Sequence, residues 1–203
     1  MNRRRSGASG KISKMTGVSI LTAIIVIIQI ICTFIKFGPF SITLALAPIV
    51  VGAALYGSLS GAFLGFVMGI VVFVTGFFGL DGGTVMFLFG QNAIATILIC
   101  LVKSTVAGFL AGVCYNAISK KNDLAGVVVS SIVCPIANTG LFILGMFAFF
   151  KDTLYAWADG TNMILYLIVG LTGLNFLVEL VSNLVLASAV KRIIKHAKSS
   201  RMS

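Results

Sequence analysis

The stretch ATILICLVKSTVAGFLAG, Ala95–Gly112, is apolar nearly throughout, yet Lys103 stands near its middle. Its length approaches the roughly 20 residues that an α-helix needs to cross a bilayer. Open sheet edges do not survive in hydrocarbon, so the run reads as a transmembrane helix. A cation at that depth costs a few kcal/mol, which marks Lys103 as a functional candidate.

The rest of the chain agrees. Of its 203 residues, 59% are hydrophobic and only 10% are charged, with a mean hydropathy of +1.11. Soluble domains carry about 25% charged residues. The apolar runs give six spans, at roughly 15–36, 42–57, 58–79, 92–118, 124–150 and 162–190. The expected fold is therefore an all-α membrane protein, a six-transmembrane-helix bundle. The run Val18–Ile35 is too long for the apolar core of a signal peptide, and no small-residue cleavage site follows it. It reads as a retained first span. Segments 1–14 and 191–203 read as basic tails flanking a membrane domain at 15–190.

The net charge of +10 could suggest nucleic acid, but its placement argues otherwise. Arg3, Arg4, Arg5, Lys11 and Lys14 precede the first run, and Lys191, Arg192, Lys195, Lys198 and Arg201 follow the last. No aromatic residues interleave with them as a nucleic-acid groove would want. Such clusters set topology and meet anionic lipid heads. With the N-terminus in the cytoplasm, the loop carrying Lys120 and Lys121 also lies inside. Only Lys36, Lys103 and Lys151 fall elsewhere, so both termini are expected to be cytoplasmic.

Small residues form two faces. Gly61, Gly65 and Gly69 repeat every four residues in the third span, and Gly108 and Gly112 do so in the fourth. Such spacing lets helices approach closely, either within the bundle or against another membrane subunit. Ser19 and Ala23 are four apart in the first span, one turn beyond Thr16, and could pack or dock. The segments KFGPFSIT, GLDGGTVMFLFGQN and KDTLYAWADGTN read as outer loops. Their aromatics, Trp157 among them, suit interfacial anchors or a lid.

Several chemistries find no support. There is no P-loop, so this chain is expected to bind no nucleotide cofactor. Cys32, Cys100, Cys114 and Cys134 lie in apolar runs without a CxxC pair and read as small hydrophobes. No cluster suits a metal, and no nucleophile stands beside a base. What remains is polar groups inside spans. Lys103 lies below Gln91 and Asn92. Asn138 sits beside Pro135 in CPIANTG. Asn175, Glu179 and Asn183 share one stripe of the last span. Glu179 is the lone acid inside a span, so Lys103 either meets a ligand or pairs with Glu179.

At these residues the sequence resembles the substrate-binding S components of energy-coupling factor (ECF) transporters. The resemblance covers nearly the whole chain. It rests on six short helices in this order, on FGPFSITLALAPIVVGAALYGSLSGAFLGFVMGIVVF and VCPIANTGLFILGMFAFF, and on NFLVELVSNLVLASAVKRII. It implies a multi-pass protein of the bacterial plasma membrane, not an enzyme. Such a protein captures a vitamin at the outer face. It works with a transmembrane coupling subunit and two ATPase subunits, which use the ATP, and is thought to topple in the bilayer to release its cargo. The family's coupling face on the first helix falls here at Ser19, Ala23 and Thr16. CPIANTG looks most like pantothenate-type members. Pantothenate's single carboxylate suits Lys103, and its hydroxyls and amide suit Asn138, Asn175 and Gln91, with Asn92, Glu179 and Trp157 nearby. Another vitamin such as riboflavin is the alternative within the family, though riboflavin would want more aromatic stacking. From other classes, a self-sufficient small carrier or a membrane scaffold remains an alternative.

Overall fold

A computed structural model describes residues 3–34, 36–37, 40–41, 44–158, 162, 165–166, 173, 176–185, 187 and 192. Helix α1 (Arg3–Thr33) leads into a two-residue antiparallel ribbon, β1 (Lys36–Phe37) with β2 (Phe40–Ser41). Then come α2 (Leu46–Tyr56), α3 (Ser58–Phe77), α4 (Thr84–Gln91), α5 (Ala93–Ile118), α6 (Asp123–Phe149) and α7 (Lys151–Ala158). A further helix, α8, covers Phe176–Val185.

Among the described residues four helices are long and apolar enough to cross a membrane: Lys11–Thr33, Ser58–Phe77, Ala93–Ile118 and Asp123–Phe149. They match the first, third, fourth and fifth expected spans. The second contracts to the 11 residues of α2. At 1.5 Å per residue that is about 16 Å, roughly half the hydrocarbon thickness. Pro48 sits in its first turn, where its missing N–H is not needed. Gly57 ends it with a φ of +94°, a conformation that L side chains avoid, and so turns the chain into α3. Much of the sixth expected span lies outside the described residues; its stretch 176–185 is helical.

Two expected loops carry helices. GLDGGTVMFLFGQN contains α4, and KDTLYAWADGTN begins with α7. Asp81 starts α4: its carboxylate accepts from the backbone N–H of Gly83 (2.9 Å) and of Val85 (3.1 Å). This satisfies N–H groups that a helix start otherwise leaves open.

The helices pack around α2, which is buried along most of its length. Leu46, Ile49, Val50 and Ala53 of α2 meet Ile25 of α1, Leu64 and Met68 of α3, Ala107 and Ala111 of α5, and Cys134 of α6. Ile27, Phe63, Leu98, Leu144 and Val181 point outward and are exposed, as a lipid-facing surface requires. Helices α3 and α5 touch backbone to backbone. A Cβ on Gly61 would strike the carbonyl of Gly108, and one on Gly108 would strike that of Gly61. Cβ atoms on Gly65 and Gly69 would strike the carbonyls of Ser104 and Cys100. The glycine spacing thus serves packing within the bundle.

Candidate substrate-binding site

Lys103 lies ten residues into α5, roughly 15 Å from its N-terminal end at the standard helical rise. The seam between α5 and α6 defines its surroundings level by level. Below it, Ser104 Oγ donates to Asn138 Oδ1 at 3.3 Å, with both side chains buried. At its own level, Lys103 Nζ stands 4.9 Å from the centroid of the Phe142 ring. Above it, Ile99 seats against Gly145, where a Cβ would come within 2.6 Å of its Cγ1. The half-buried ammonium is thus set between a polar pair and an apolar cluster. It meets the aromatic face of Phe142.

That apolar cluster forms a roof. Leu88 of α4, Ala95 and Ile99 of α5, Met146 and Phe150 at the end of α6, and Leu154 of α7 are its buried members. Phe142 and Trp157 pack against it. Two ties hold α4 to α7. Thr153 Oγ1 donates to Gln91 Oε1, and the Trp157 ring lies 5.6 Å from that of Phe87. Gln91 and Trp157 therefore belong to one cap at this end of the bundle. Asn92 does something else: it is the N-cap of α5, its Oδ1 accepting from the Ala95 N–H at 3.1 Å. An asparagine just before an apolar helical run is a capping signal, and the sequence carried it.

On α8, Glu179 and Asn183 are both 2% exposed. Asn183 Nδ2 donates to the Glu179 carbonyl at 2.8 Å. Asn175, which the stripe placed with them, lies outside the described residues. The bundle holds polar side chains that the sequence reading passed over. Gln29 of α1 and Ser131 of α6 are buried. Among the described residues Gln29 Oε1, Ser131 Oγ and Asn183 Oδ1 accept no hydrogen bond. A single polar residue in an apolar run shows no period, so nothing but its rarity could have flagged it.

Comparison with known proteins places this arrangement. The sequence model for the substrate-specific component of ECF transporters matches residues 13–190. The chain belongs to that family. It is 28% identical over 203 residues to the pantothenic acid transporter PanT of Lactococcus lactis subsp. cremoris, covering 94% of this chain and 99% of that protein. The solved structure of ThiT from Listeria monocytogenes shares the fold, with a TM-score of 0.66 at 21% identity over 93% of this chain and 98% of that one.

As an ECF substrate-specific component, the protein is a multi-pass protein of the bacterial cell membrane and not an enzyme. Its α1 leaves Thr16, Ser19 and Ala23 exposed on one side, with Ile20, Ile24 and Ile27 beside them. These three contribute little to the core of this chain. Among the described residues no group of three or more His, Cys, Asp or Glu side chains could hold a metal ion.

Proposed function

We propose that this substrate-specific component captures pantothenate at the outer face of the cell. A separate transmembrane coupling subunit and two ATPase subunits then carry it inward. The observation that carries the reading is Lys103, a half-buried cation in an apolar helix beneath the α4–α7 cap. One cation matches one carboxylate. The likeness to the pantothenic acid transporter PanT supports the same substrate. Asn138, bonded to the Ser104 hydroxyl next to Lys103, Gln91 in the cap and Glu179 on α8 supply polar groups to this reading, and Asn175, outside the described residues, belongs to it by sequence. Six helices cross the bilayer in this reading, with 1–14 and 191–203 as basic cytoplasmic tails around a 15–190 membrane domain. ATP is consumed by the partners, and the chain itself holds no cofactor. The exposed Thr16, Ser19 and Ala23 form the face that meets the coupling subunit.

The test is to purify the protein in detergent, denature it, and identify any released small molecule by mass spectrometry. Pantothenate in the released fraction supports both class and substrate. A different vitamin overturns the substrate and keeps the class. If nothing is released, thermal unfolding with added vitamins decides: no rise with any of them overturns the capture role.

A further inference from the structure

The reading above assigns the carboxylate to Lys103 and leaves open what keeps that ammonium ready. We propose that Phe142 is the positioning residue for Lys103, orienting its charge without neutralising it, and so sets the preference for an anionic over a neutral ligand. The inference rests on the capture reading.

The ring centroid lies 4.9 Å from Nζ, inside the range of about 6 Å over which a ring face attracts a cation. Phe142 is itself fixed, packed against the outer cluster of Met146, Phe150 and Leu154. It stands one turn beyond Asn138, whose side chain is tied to Ser104, so the neighbouring turns of α5 and α6 are in register. Lysine is otherwise a flexible four-carbon stem that would reach for water or headgroups. A carboxylate in the place of Phe142 would hold it too, but would neutralise it and leave nothing for an incoming anion. An aromatic face offers only a fraction of the attraction of a full charge, so the ammonium keeps most of its demand for a counter-ion. The ring also presents no donor or acceptor of its own to a polar ligand.

The experiment measures binding of pantothenate, and of panthenol, its alcohol analogue, to the purified full chain carrying Phe142→Leu, Phe142→Tyr, Lys103→Met or the Lys103→Met/Phe142→Leu pair. Phe142→Leu is expected to weaken pantothenate binding about 3- to 30-fold, the span that a cation–π contact confers. It should leave panthenol binding unchanged. Phe142→Tyr should retain the preference, and in the Lys103→Met background, where pantothenate binding is already lost, Phe142→Leu should have no effect on panthenol binding. Equal losses for both compounds in Phe142→Leu, or no loss, overturn the positioning role. An unchanged preference in Lys103→Met overturns the assignment of Lys103, a separate failure. Absence of binding by the unaltered chain overturns the substrate itself and the inference with it.

Discussion

At the scale of single residues, the interior is a contest between the cost of polar groups in hydrocarbon and what they do there. Lys103→Met should abolish pantothenate binding while expression and thermal unfolding in detergent stay near the parent, because the replaced side chain keeps its apolar length. Unfolding of this variant would instead point to a structural cation. Ser104 is the opposite case. Its hydroxyl serves Asn138, so Ser104→Ala leaves a buried carboxamide oxygen short of a partner. The expected cost is about 1–3 kcal/mol, read as a lower unfolding midpoint. Asp81 acts locally: it caps α4, and Asp81→Ala should cost about 0.5–2 kcal/mol, with hydrogen exchange rising first in Thr84–Gln91.

At the scale of elements, the glycines separate by what surrounds them. A Cβ on Gly65 would strike the Ser104 backbone, whereas one on Gly140 of α6 meets open space. Gly65→Ala should therefore destabilise the protein clearly. Gly140→Ala should be neutral or should gain up to about 1 kcal/mol of helix propensity. Thermal unfolding of the two variants compares the signs directly. The same elements explain how far the sequence could be read. The long spans were legible because twenty apolar residues in a row have few other readings, and a close-packing face on α3 because Gly61, Gly65 and Gly69 keep a helical period, though not that α5 is its partner. Helices α4 and α7 were not, since each has 8 residues and stands among glycines and polar residues that favour a loop reading. In the site, Lys103 and Asn138 stood out by their polarity. Phe142 could not, because one more phenylalanine in an apolar helix looks like core until a cation is found on its face.

At the scale of the whole molecule, the distribution of burial describes its surroundings. The first span buries only 17% of its apolar window, against 44% for the third. Of the four long described spans, α1 is thus the most open to lipid or to a partner subunit. Vesicles holding this chain alone should bind vitamin and accumulate none, and accumulation should require the coupling subunit, the ATPases and ATP. Uptake by the isolated chain would return the self-sufficient carrier to favour. Topology has its own check. In a chain freed of its native cysteines, a thiol placed at Lys198 should react only from the cytoplasmic side, and one at Lys151 only from outside.

The backbone contact between α3 and α5 has a mechanical consequence. Packed helices slide past one another by switching side-chain rotamers, and at Gly61, Gly65 and Gly108 there are no rotamers to switch. The pair therefore forms a stiff keel running through the protein. Compliance is left to the parts fastened by side chains, above all the α4–α7 cap, so any rearrangement of the bundle is expected to spare the α3–α5 pair and to begin at that cap.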